Sequence, residues 1–118
     1  MATIHQIRKI ALSFPETSEV PHFEKTSFRV RKRIFATYNA KENRICVRLS
    51  RIDQDVFTAF NPELIHPVPN KFGTMGWTLI YFKQVPMDLI SDLLTCAYCE
   101  VAPLKLSKEM KDHLMEGY

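Results

Sequence analysis

Between Phe28 and Leu49 the sequence reads FRVRKRIFATYNAKENRICVRL, alternating apolar and basic residues in a way that few folds accommodate. A period of two belongs to extended strands, whose successive side chains point to opposite faces. Phe28, Val30, Ile45, Val47 and Leu49 then share one face, and Arg29, Arg31, Arg44 and Arg48 share the other. A sheet built this way needs other elements to cover its apolar face and leaves a cationic face in water.

Charge distribution strengthens the pattern. Lys25 to Arg51 holds nine basic residues and one acid, Glu42, for a local charge of +8. The remaining chain holds seven basic and twelve acidic residues, for −5. Such asymmetry within 118 residues implies a dipolar surface that attracts an anionic partner. The length and a 46% hydrophobic content suit one domain, residues 1–118, with a core that needs no metal or disulfide. The three cysteines, Cys46, Cys96 and Cys99, are an odd number, and the N-terminal residues run directly into a helical pattern. The expectation is a cytoplasmic protein with reduced thiols. No apolar run approaches the ~20 residues of a membrane span.

In chain order, Thr3 to Phe14 has a helical stripe of Ile4, Ile7, Ile10 or Ala11, and Phe14, with Thr3 and Gln6 at capping-box spacing. Pro15 stops it, and Glu16 to Pro21 reads as a polar connector. Strands follow at Glu24–Val30, Ile34–Tyr38 and Arg44–Leu49. The turn at Arg31, Lys32 and Arg33 has no Gly or Asn to supply positive φ, which argues against a tight primed turn. Asn39 to Asn43 is richer in residues that tolerate left-handed geometry. Ser50 and Asp53 open a helix to Phe60 with an expected buried stripe of Ile52, Val56, Ala59 and Phe60. Leu64–Val68 reads as an edge strand because of Pro67, Asn70–Gly76 as a loop, and Trp77–Phe82 as a central strand. Pro86 starts a helix to about Tyr98, Val101–Leu106 is a connector, and Ser107 caps a short helix ending near Gly117. This order predicts an α+β fold of two layers, an antiparallel sheet with helices packed on one face.

Three blocks carry a family resemblance. The first is Pro21-His22-Phe23, then Phe28-Arg29-Val30 and Lys32-Arg33-Ile34-Phe35-Ala36. The second is Asn70-Lys71 with Gly76-Trp77-Thr78-Leu79-Ile80-Tyr81, and the third runs from Pro86 to Leu94, through Ala97-Tyr98, to Leu104-Lys105-Leu106. In order and spacing, over roughly residues 7–108, they resemble the MmcQ/YjbR-like family of small bacterial proteins. The chain departs from that pattern at Arg33, where glycine is frequent, and in a longer, more glycine-rich loop before Trp77. The resemblance implies a two-layer α/β fold and DNA binding through a double-wing arrangement.

The expected nucleic-acid contacts are therefore Arg29, Arg31, Lys32, Arg33, Arg44 and Arg48, because arginine forks suit phosphate oxygens. Asn70, Lys71 and Trp77 join them if the backbone N–H groups of the glycine loop form an anion or base pocket. The bland alternative is a solvated sheet face, although such faces usually mix signs. No nucleophile elbow, HExxH or triad order occurs, so no catalytic residue is assigned and a non-enzyme is expected. Cys96-Ala-Tyr-Cys99 has no second ligand pair, so it reads as free thiols, with no metal or cofactor. The rivals to nucleic-acid binding are docking of an acidic protein, pairing of subunits through apolar patches, and a small-anion or metabolite site at the Asn70–Trp77 loop.

Overall fold

In the computed structural model of the chain, which describes residues 2–116, six strands form one antiparallel sheet. They are β1 (Thr17–His22), β2 (Lys25–Val30), β3 (Arg33–Asn39), β4 (Arg44–Arg48), β5 (Ile65–Pro67) and β6 (Trp77–Ile80), in the order β1-β2-β3-β4-β6-β5. The helices are α1 (Ile4–Ser13), α2 (Arg51–Phe60), α3 (Lys71–Thr74), α4 (Met87–Val101) and α5 (Leu104–Glu116). The α+β reading with helices on one face is the observed architecture.

The alternation does its expected work. Phe28, Val30, Ile45, Val47 and Leu49 are all buried beneath the helices. α1 supplies Ile7 and Ala11, and α4 supplies Ile90, Leu93, Leu94, Ala97, Tyr98 and Val101. Phe14, Phe35 and Tyr98 form an aromatic cluster with centroids 4.9–6.3 Å apart, and the Tyr98 hydroxyl donates to the Pro15 carbonyl at 2.9 Å. A β-bulge fits the doublet Phe35-Ala36 into this scheme. Phe28 pairs with Ala36 and Arg29 with Ile34, so Phe35 has no partner and both apolar residues turn to the helices. The bulge keeps Arg29 in phase with Thr37, on the face away from the core.

Several expectations need correction. Glu16–Pro21 is not a connector throughout, since residues from Thr17 form the edge strand β1, and Glu19 pairs with Arg8 of α1 at 2.7 Å. Its polar sequence reflects an edge position with no buried residue, and Pro21 is tolerated there because an outer edge lacks a partner. The loop between β2 and β3 is a tight two-residue turn despite its lack of glycine, with φ of +46° at Arg31 and +76° at Lys32. Glu16 offsets the strain. Its carbonyl accepts from the Arg31 backbone N–H at 3.2 Å, and its carboxylate accepts from the guanidinium at 2.8 and 3.0 Å.

The residues Asn70–Gly76 contain the short helix α3, whose first turn is capped by the Asn70 side chain accepting from Phe72 N at 2.8 Å. The strand expected to reach Phe82 ends at Ile80, and a 3-10 turn covers Phe82–Gln84. The helix expected to stop near Tyr98 runs to Val101, which is buried. α5 starts at Leu104, directly after Pro103, and Ser107 lies buried within it, donating to the Leu104 carbonyl at 3.1 Å instead of capping. The expected helix end near Gly117 lies outside the described residues.

The largest correction concerns α2. Its Ser50 cap is as expected, accepting from Asp53 N at 3.1 Å. Yet Ile52, Val56 and Phe60 are 75%, 59% and 72% exposed, and Ala59 is also exposed. The helix buries Gln54 and Phe57 instead. Gln54 Nε2 donates to the Gly73 carbonyl at 2.9 Å and to Thr78 Oγ1 at 3.1 Å, so the inward side of the helix combines the Phe57 ring with a hydrogen-bonded amide.

Because Lys32 occupies left-handed backbone that favours glycine, Lys32→Gly should stabilise the fold by up to about 1 kcal/mol. Thermal unfolding should report this as a rise of a few degrees, and a fall in melting temperature would contradict the turn geometry.

Candidate functional site

Strand register assigns every residue of the sheet to a face, because directly paired residues share a side. Opposite the helices lie Lys25, Ser27 and Arg29 of β2, Ile34, Thr37 and Asn39 of β3, Arg44, Cys46 and Arg48 of β4, and Trp77 and Leu79 of β6. β1 adds Ser18, Val20 and His22, and β5 adds His66. No acidic strand residue is on this face, since Glu19 pairs with Phe28 on the helical side.

The cations form two lines. Lys25 and Arg44 stand at one end of the strands, and Arg29 and Arg48 at the other. Arg44 and Arg48 are four residues apart along β4, about 14 Å. Between the lines runs a floor of small or neutral side chains: Ser27, Thr37, Cys46 and Leu79. Two arginines are held by neutral partners. Arg29 Nε donates to Ser27 Oγ at 2.9 Å, and Ser27 Oγ donates in turn to the Val20 carbonyl at 2.7 Å. Arg44 Nη1 donates to Tyr81 Oη at 3.2 Å while its guanidinium carbon lies 6.0 Å from the Tyr81 ring centroid. Among the described residues the ion pairs are Arg8–Glu19 and Arg31–Glu16, so Arg29, Arg44 and Arg48 carry no carboxylate partner there.

A cleft of about 420 Å³ opens in this face between the strand ends and the segment Val68-Pro69-Asn70. Lys25, Asn39, Arg44, His66 and Tyr81 supply its polar lining. The His66 and Tyr81 rings are 5.8 Å apart. This grouping of Lys25, His66 and Tyr81 is absent from the sequence reading. The alternation of Trp77, Leu79 and Tyr81 signals that Tyr81 shares the Trp77 face, but nothing local places β5 at the sheet edge beside it.

The other expected site residues divide. Trp77 lies on the open face, half-buried and paired with Arg48. Arg31 does not join that face, because it sits in the turn and its hydrogen bonds hold the Glu16 carboxyl below the usual carboxylate range. Lys32 is the tip of the same turn, and Arg33 pairs with the core residue Val30 at the rim of the helical side. Asn70 borders the cleft, while exposed Lys71 lies over the Phe72 ring at 5.7 Å. The glycine segment forms no anion nest. The N–H groups of Phe72, Gly73, Met75 and Gly76 are taken by Asn70 Oδ1 and by the carbonyls of Asn70, Phe72 and Gly73. The glycines serve packing instead: a Cβ on Gly73 would lie 2.0 Å from the Val68 carbonyl oxygen, and Gly76 has φ +104°.

Comparison with known proteins places the fold. The sequence model of the YjbR family matches residues 12–100. The chain belongs to the YjbR family. The crystal structure of Deinococcus radiodurans protein DR2400, with its DUF419 domain, is similar in fold, with a TM-score of 0.74 and 21% sequence identity. The similarity covers 94% of this chain and 89% of that chain. No curated protein matches the chain. The YjbR match spans all six strands, and therefore both lines of cations.

Elsewhere in this YjbR chain, Cys96 and Cys99 are free and half-buried within α4. Burial pushes the Cys96 thiol up to about 12, with the Asp53 carboxylate adding to it, and pushes Cys46 up to about 11. Burial also raises Cys99. Among the described residues no three His, Cys, Asp or Glu side chains are arranged to hold a metal ion, and no helix is long and apolar enough to cross a membrane. Since the thiolate is the reactive form, alkylation of Cys46 and Cys96 at pH 8 should run at least ~10-fold slower than that of an unperturbed cysteine, and Cys99 should also be slowed. Rates measured by mass spectrometry that match a free thiol would contradict the burial.

Proposed function

We propose that this member of the YjbR family is a non-catalytic cytoplasmic protein that binds nucleic acid, DNA in the first instance, through the open face of its sheet. The observation that supports this reading most is the sign of that face. Lys25, Arg29, Arg44 and Arg48 stand on it with no acidic strand residue among them. A merely solvated face mixes charges, whereas a face of one sign attracts a polyanion and speeds its encounter. Hydrogen bonds from Arg29 and Arg44 to neutral oxygens hold their positions without spending their charge, leaving guanidinium donors for phosphate oxygens. Lys32 at the turn tip and Lys71, next to Asn70 at the cleft border, add charge at the margins, whereas Arg33 lies at the rim of the helical side. Backbone contacts of this kind position the ligand and carry little sequence preference.

Fluorescence anisotropy with labelled DNA and RNA tests the reading. With about five phosphates neutralised, log affinity should fall with log salt at a slope of about −4. Arg29→Glu combined with Arg44→Glu should abolish binding at low salt, while Arg31→Ala, off the face, should change it less than about twofold. No binding at low salt, or an undiminished double variant, would sink the proposal.

A second reading, association between proteins, is favoured by the exposed stripe Ile52, Val56, Ala59 and Phe60. An amphipathic helix that turns its apolar side to water is suited to burial against a second copy of the chain. Light scattering should then show a dimer at micromolar concentration that Val56→Asp converts to a monomer. A monomeric parent protein would remove this reading and leave the first intact.

A further inference from the structure

The two-residue tip of the β1–β2 hairpin holds an unusual residue. Phe23 is 95% exposed and has φ of +58°, so a bulky aromatic ring is held in water on left-handed backbone. Both features cost stability: the ring buries almost nothing, and the backbone conformation favours glycine. The ring has one neighbour of note, His22, edge-on at 4.9 Å, so its faces remain open. The tip carries one acid, Glu24, and is closed by the pair His22 and Lys25 on the open sheet face.

Lys25 links this tip to the cleft. It lines both the depression beside Phe23 and the cleft that contains Arg44 and Tyr81. The cleft's volume of about 420 Å³ lies within the range that accommodates a compact ligand, and it is bounded on one side by Val68-Pro69-Asn70. Its floor at Cys46 is uncharged at neutral pH, because burial keeps that thiol protonated. An anionic group entering there meets Lys25 on one side and Arg44, braced by Tyr81, on the other. An aromatic face beside a cationic groove is the combination that binds unpaired bases, since every base has a flat face to stack. A duplex keeps its base faces stacked inside and presents none for the Phe23 ring.

We infer that the ligand of this face is single-stranded nucleic acid, with Phe23 stacking on an unpaired base and Lys25 and Arg44 holding a neighbouring phosphate in the cleft. The inference rests on the nucleic-acid reading of the basic face and narrows it to one class of polymer. The positive φ of Phe23 holds its ring at the hairpin tip, two residues from Lys25, which lines both the depression beside the ring and the cleft. Phe23 is the specificity residue and Tyr81 a positioning residue for Arg44.

The test uses the full chain and a labelled DNA strand of about 12 nucleotides, within the ~4–16 that such surfaces cover, beside a duplex of the same sequence at about 50 mM salt. The single strand is expected to bind roughly tenfold more tightly than the duplex. Phe23→Ala should lower single-strand affinity roughly tenfold and leave the salt slope unchanged, because no charge is lost. Phe23→Trp should retain the affinity, and its fluorescence, read as the excess over the parent's Trp77 signal, should be quenched on binding. The tip is exposed, so these variants fold, as circular dichroism would verify. Equal or tighter duplex binding, or a Phe23→Ala variant that binds the strand like the parent, overturns the inference while leaving the basic-face reading in place. Failure of both polymers to bind overturns both.

Discussion

Tyr98 donates its hydroxyl proton to the Pro15 carbonyl while its ring packs against Phe14 and Phe35, and this contact draws α1, α4 and the sheet together on one side. Its phenol reaches a backbone acceptor at the helix–strand junction, so the polar end of the largest fully buried side chain is satisfied. With the helices committed to that side, the opposite face of the sheet is covered only in part, by its own long side chains and the segment Val68-Pro69-Asn70. Parity does the rest. Every strand residue out of phase with the core faces outward, and the bulge at Phe35 preserves that phase across β2 and β3. The arginines at positions 29, 44 and 48 are therefore placed by the same alternation that places Phe28, Ile45 and Val47.

The acids follow a complementary distribution. Glu19 faces the helices and pairs with Arg8, Glu16 engages Arg31 in the turn, and Asp53 lies beside Cys96. Carboxylates are thus kept near the helical layer or the turns, and the open face keeps its sign. The resulting field acts beyond contact distance, over about 8–10 Å at ordinary ionic strength, and orients an approaching anion toward the cleft.

Sequence pattern revealed most of the sheet because its information is local. Alternation defined β2, β3 and β4, capping spacing located α1 and α2, and Pro86 marked the start of α4. What escaped depended on contacts between distant segments. β1 looked like a connector because an edge strand with no buried side chain carries no alternation. The rotation of α2 was missed because Gln54 finds its partners at Gly73 and Thr78, and a stripe count assigns the inward side to Ile52, Val56 and Phe60. The turn at Arg31 was legible but its tight form was not, because its compensation comes from Glu16, fifteen residues earlier. Of the candidate site, the three arginines were legible by parity, whereas Trp77 was expected through a glycine-loop pocket that does not form. The cleft was not legible, since it requires β5, which follows β4 and α2 in the chain, to lie outside β6.

Both free edges of the sheet contain a proline, Pro21 in β1 and Pro67 in β5. A proline interrupts the row of donors that an incoming strand would need, which protects the molecule from growing edge to edge into fibrils. High local concentration of any chain with bare sheet edges raises the hazard of such growth. The two prolines let copies of this chain crowd together side by side without joining their sheets.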